Sequence, residues 1–145
     1  MAAPQAGPRN VRRPRRLVIG GYEHEWPPDF EAFLARELVG RDAVDLVRLG
    51  DLAAAPSVLA GGHVAALVVQ AERLGMRELL VLQECRQISP RTALVVVATT
   101  GRFGMKSALE GGATAFLSWP ASADVVRQAL RSGGAAPAPR GVEDE

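Results

Sequence analysis

The chain has 145 residues, 48% of them hydrophobic, which suits one globular domain with a real core. A formal charge of +1 gives no ground for nucleic-acid binding, and the single cysteine, Cys85, excludes internal disulfides and cysteine-based metal sites. No run reaches the ~18 apolar residues of a membrane span, and the arginine-rich start leads into no apolar signal segment, so a cytoplasmic protein is expected.

Five arginines, Arg9, Arg12, Arg13, Arg15 and Arg16, crowd the beginning. Pro8 and Pro14 interrupt any helix that would gather those charges on one face, so residues 1–14 read as a disordered, solvated basic tail. RLVIGG (16–21) is a short apolar strand closed by two glycines. PPDFEAFLARELVG (27–40) opens with prolines suited to a first helical turn, and its Phe30, Phe33, Leu34 and Leu38 fall on one face. AVDLVRLG (43–50) alternates like a strand near a sheet edge. DLAAAPSVLAGG (51–62) is a short helix, with Pro56 in its first turn or at a kink. Residues 65–69 form a buried strand that breaks off at Gln70 into a polar loop.

MRELLVLQECRQI (76–88) is a third helix that places Val81, Leu82, Cys85 and Ile88 on one face. TALVVVATTG (92–101) is the most hydrophobic strand and suits burial on both sides. GMKSALEGG (104–112) reads as a fourth helix with a glycine stop, and TAFLSWP (114–120) as a fifth strand. SADVVRQALRSGG (122–134) is a fifth helix, with Ser122 as N-cap and Gly133 as stop. Residues 133–145, rich in Ala, Gly and Pro and ending in Glu143, Asp144 and Glu145, form a second disordered tail.

Strand and helix thus alternate five times. This order implies an α/β fold, a doubly wound five-stranded parallel sheet with helices on both faces. Ligands and chemistry in such sheets sit beyond the carboxyl ends of the strands. Gly20, Gly21, Gln70, Thr99, Thr100 and Trp119 fall there.

QAERLGMRELLVLQECRQISP, beginning at Gln70, and ALEGGATAFLSWP keep the spacing of the receiver domain of two-component response regulators. Gly75-Met76, Ser89-Pro90, Thr99 and Phe116 stand at corresponding landmarks. The resemblance spans about residues 15–132 and implies a flavodoxin-like, three-layer α/β/α domain. It also implies that Gln70 occupies the position of the phospho-acceptor aspartate, and Gly20 and Gly21 those of the acidic pair that holds Mg²⁺. Trp119 takes the place of the lysine that contacts the phosphoryl group. Thr99 and Phe116 match the hydroxyl and aromatic switch positions, although both also serve as ordinary core residues of such a fold. The Trp119–Pro120 bond matches a lysine-proline bond that is usually cis. An amide is a poor nucleophile, two glycines offer no oxygen ligands to a hard cation, and indole balances no phosphoryl charge.

Other signals point to little chemistry. GRFGMKS (101–107) approaches a phosphate loop, but Met105 separates its glycine from Lys106, the sole lysine. Glu23 lies close in sequence to Gly20 and Gly21, and Glu72 to Gln70, yet both are off the strand tips and read as solvated loop residues. His24 lies between two acids in an exposed loop, His63 faces solvent, and Cys85 acts as a small core residue. Trp119 is expected to fold over Gly20 and Gly21, and Trp26 to offer an apolar surface with an N–H handle.

The expected function is that of a pseudo-receiver, a non-enzymatic, stand-alone signalling module without an output domain. It would act by phosphorylation-independent protein–protein contact. The partner face implied by the resemblance is the fourth helix, fifth strand and fifth helix, with a homodimer as one outcome. Candidate pocket or partner residues are Trp26, Trp119, Met105, Lys106 and Leu109. No cofactor, metal, membrane or nucleic-acid partner is expected. The alternatives are a small-ligand sensor with a vacated pocket rimmed by Gln70, Trp26, Trp119 and Thr99, and a nucleotide-binding enzyme using residues 101–107.

Overall fold

A computed structural model describes residues 15–39, 44–99 and 111–133. Five strands, β1 (Arg16–Gly20), β2 (Asp45–Leu49), β3 (Val64–Gln70), β4 (Ala93–Ala98) and β5 (Ala115–Ser118), form one parallel sheet. Their order is β2-β1-β3-β4-β5, so the chain reverses its direction of travel between β1 and β3. That reversal opens a crevice beyond the carboxyl ends of the two strands. Residues 104–110 of the expected helix at 104–112, with Met105, Lys106 and Leu109, lie outside the described residues. So do Thr100, residues 1–14 and residues 134–145.

Side chains alternate across each strand, and the alternation sorts the core into two layers. Leu17 and Ile19, Ala66 and Val68, and Val95 and Val97 meet Phe30, Phe33, Leu34 and Leu38 on one face, together with Val126 and Ala129. Those partners come from helix α1 (Pro28–Phe33, continued as a π-helical stretch through Leu34–Val39) and from the closing helix (Ala123–Leu130). Val18, Leu67, Val69, Leu94 and Val96 face the other way, toward Ala55 and Leu59 of α2 (Ala55–Ala60) and Leu82 and Cys85 of α3 (Met76–Ile88). Every residue of β4 is buried, as its unbroken apolar run requires.

Local chemistry sets the helix starts. Pro28 opens α1 after Pro27, and Pro56 sits in the first turn of α2, so it causes no kink. Asp51 Oδ1 accepts from the Ala53 N–H at 3.0 Å in the turn that leads into α2. Ser122 Oγ accepts from the Val125 N–H at 3.2 Å and caps the closing helix, which ends at Leu130, ahead of Gly133. Among the described residues, no helix is long and apolar enough to cross a membrane.

One helical face differs from the expectation. Leu82 and Cys85 are buried and Leu79 packs beside them, which centres the inward arc of α3 on Leu82. At 3.6 residues per turn, Ile88 then lies roughly 120° from that centre. It is 41% exposed.

Burial, with a smaller contribution from the neighbouring Glu84 charge, pushes the Cys85 thiol up to about 11, against 9.0 for an ordinary thiol. The folded chain keeps this thiol neutral where the unfolded chain ionises it. Its contribution to stability is therefore complete below pH 9 and is lost as the pH rises toward 11. The urea midpoint of the wild type should fall more steeply across that window than that of Cys85→Ala. Parallel profiles would contradict this account.

Candidate functional site

The crevice is built around the end of β3. Gln70 pairs in register with Val97 of β4 and is only 7% exposed, although it is polar. Its Nε2 donates to the Glu25 carbonyl at 3.0 Å and to Thr99 Oγ1 at 3.2 Å. A carbonyl can only accept, so Glu25 fixes the orientation of the amide. The other amide atom, Gln70 Oε1, is buried without a hydrogen-bond partner.

A single 3₁₀ turn, Ala71–Arg73, follows β3 directly and swings Glu72 toward the end of β4. The Glu72 carboxylate accepts from the Thr99 N–H, at 3.1 Å to Oε1 and 3.0 Å to Oε2, and from the Thr99 hydroxyl at 3.1 Å. Thr99 Oγ1 therefore receives a proton contact from an amide and gives one to a carboxylate. The chain Gln70, Thr99, Glu72 runs from neutral donor to anion with every hydroxyl role used. Glu72 is thus a bonded element of the crevice, in contrast to the solvated loop residue that sequence reasoning expects.

The glycines that end β1 are covered as well, by residues other than the expected one. Trp26 is 3% exposed, its Nε1–H donates to the Gly20 carbonyl at 3.0 Å, and its ring stacks on Phe30 at 4.7 Å. Glu25 Oε1 accepts from the Tyr22 N–H at 2.9 Å, and Oε2 pairs with Arg73 at 3.2 Å. A Cβ on Gly21, whose φ is +98°, would stand 2.7 Å from Glu25 Oε1 and 3.5 Å from Trp26 Nε1. The Glu25 carboxylate and the Trp26 indole fill that space at Gly21, and a Cβ on Gly20 would instead meet Val69 at 3.3 Å and Leu52 at 3.8 Å.

Trp119 lies elsewhere. It sits edge-on to Phe30 at 4.9 Å and tilted against Phe33 at 5.8 Å, and its Nε1–H donates to Asp29 Oδ1 at 3.2 Å. The two tryptophans exchange the places expected of them: Trp26 closes the glycines, and Trp119 is the half-buried one, against α1. The physical reason is reach. Trp26 leaves a turn six residues beyond Gly20, whereas Trp119 follows β5 at the far end of the sheet. The Trp119–Pro120 bond is cis. Phe116 is half-buried against the layer of α2 and α3.

A cavity of about 270 Å³ remains beside this network, lined by Gly20, Gly21, Glu25, Asp51, Gln70 and Arg73, with Glu78 at its margin. Trp26, Trp119 and Thr99 do not line it. Its carboxylates are committed: Glu78 Oε1 accepts from the Gly75 N–H at 2.9 Å, Asp51 serves its turn, and Glu25 holds Arg73. Among the described residues no three His, Cys, Asp or Glu side chains are placed to hold a metal ion. His24 stacks on Tyr22 at 6.0 Å, and the Glu23 side chain lies outside what the structure describes.

No protein-family model and no curated protein matches the chain. Solved structures do. A response regulator from Burkholderia pseudomallei, with a phosphorylated aspartic acid, a calcium ion and citrate, matches 90% of this chain and 72% of its own. It does so at 18% identity and a TM-score of 0.61. A response regulator from Thermotoga maritima matches 86% of this chain and 100% of its own, at 14% identity and a TM-score of 0.61. An adenylate cyclase from Rhodopirellula baltica matches 91% and 96%, at 17% identity and a TM-score of 0.56. The fold is the flavodoxin-like α/β/α fold of receiver domains. Fold alone does not select the chemistry.

Trp26→Ala should destabilise the domain by about 3–5 kcal/mol, the usual cost of emptying a buried aromatic site. Trp119→Lys should cost less than about 2 kcal/mol, because that ring is half-buried and the lysine can still reach Asp29. Denaturant unfolding of both variants checks the order. A larger loss for Trp119→Lys would contradict this assignment.

Proposed function

We propose that the chain is a pseudo-receiver, a signalling module that works through protein contact without being phosphorylated. One observation carries the reading: the residue at the end of β3, where the resemblance puts a phospho-acceptor, is an amide with both donor contacts engaged by Glu25 and Thr99. Glu72 adds an anion that already occupies the Thr99 amide and hydroxyl. The position therefore lacks a nucleophile, and its hydroxyl is bound to a resident carboxylate. A state of this kind needs no incoming group to fill it.

The partner surface in this proposal is the face implied by the resemblance, of which β5 and the closing helix are described. On the described part of that face Val125 is 46% exposed and offers an apolar contact. A second copy of the chain is one partner that this face would suit.

A second reading has one observation in its favour. Gln70 Oε1 is buried and unpartnered, and Gln70 lines the 270 Å³ cavity, so a small ligand with a donor group would complete the site. Mass spectrometry of the natively purified chain separates the two readings by the presence or absence of a retained small molecule.

Acetyl phosphate with millimolar Mg²⁺ should add no phosphate to the chain, by intact-mass measurement, and should leave its amide NMR spectrum unchanged. Gln70→Asp alone should also remain unlabelled, because the metal-binding acids would still be missing. A phosphate on any residue at the end of β3 would overturn the proposal.

A further inference from the structure

We propose that the amino-terminal edge of the sheet holds a second site, one that binds a small organic monoanion: a carboxylate on an apolar body. A cavity of about 360 Å³ opens there, at the strand ends opposite Gln70, so the inference does not depend on the pseudo-receiver reading. Its apolar surface comes from Leu17, Leu38, Ala66 and Leu130. Among the described residues, four arginines line the same space and no carboxylate does.

Among the described residues, one of those arginines has its charge answered. Arg127 pairs with Glu37 at 2.7 Å. Among the described residues, Arg15, Arg91 and Arg131 form no ion pair, and they arrive from three separate places in the chain: ahead of β1, ahead of β4 and just past the closing helix. Arg131 has an ordinary explanation, since a cation at a helix C-terminus is favoured by the helix dipole. Arg15 and Arg91 have none, and gathering like charges around one cavity costs energy unless an anion joins them.

The chemistry of the lining narrows the ligand. Guanidinium groups bind planar oxyanions in bidentate fashion, and the apolar floor would stay wet under a bare inorganic ion. The carbonyl end of the closing helix opposes a dianion more than a monoanion. The wall is also preformed. A Cβ on Gly133 would stand 2.0 Å from the Arg91 carbonyl oxygen and 2.7 Å from the Ala93 nitrogen, so this glycine lets the chain after the helix lie directly on the start of β4. Preformed, partly apolar cavities with a few convergent charges are the usual form of small-molecule sites.

Titration of the full chain with octanoate, followed by amide NMR, tests the proposal. Saturable shifts are expected at Leu17, Ala66, Arg91 and Gly133, with Gln70 and Thr99 unmoved. Arg91→Gln and Arg131→Gln, both at exposed positions, should each weaken binding about tenfold. Octanol, which lacks the charge, and inorganic phosphate, which lacks the apolar body, should both bind at least tenfold more weakly than octanoate. Absence of saturation, equal binding of octanol or phosphate, or unchanged affinity in both arginine variants would overturn it.

Discussion

A polar side chain must be buried where β3 ends, and the form of that side chain governs what surrounds it. An ionised carboxylate at this depth would need cations or a metal to offset its desolvation. A neutral amide carries no charge to offset, only hydrogen-bonding groups. The donors of Gln70 find two acceptors, the Glu25 carbonyl and Thr99 Oγ1, while its Oε1 has no partner. The rest of the crevice is consistent with that economy: glycines end β1, an indole follows β5, Glu25 pairs with Arg73, and Glu72 faces the Thr99 donors.

The same constraint accounts for the aromatic layer. With no acids to project from the end of β1, the backbone there can be closed by Trp26, whose N–H satisfies the Gly20 carbonyl. Trp26 then stacks on Phe30, and Phe30 receives the edge of Trp119. A continuous aromatic contact thus joins the loop after β1 to the loop after β5 across α1. The exposed end of that contact is the Trp119–Asp29 hydrogen bond.

Much of this was legible in the sequence. Apolar runs bounded by turn residues assigned the strands, the four apolar residues of α1 all reached the core, and the spacing after Gln70 fixed α3 to its observed ends. The site was harder. Glu72 gave no signal on its own, because a single acid after a strand is normally solvated. The parallel register held the clue: Gln70 faces Val97, and Glu72 lies as far beyond the one as Thr99 beyond the other. The two tryptophans were indistinguishable by composition. Only the sheet order, which sets β5 away from β1, decides between them.

The central claim is that the Gln70 amide is held permanently by Glu25 and Thr99. The most direct measurement is hydrogen exchange at the Gln70 side-chain NH₂, observed by NMR in the unligated chain and in Thr99→Val. The account predicts protection far above that of a surface glutamine, reduced in the variant while the fold persists. Exchange at the rate of a free, solvated amide in the wild type would contradict it.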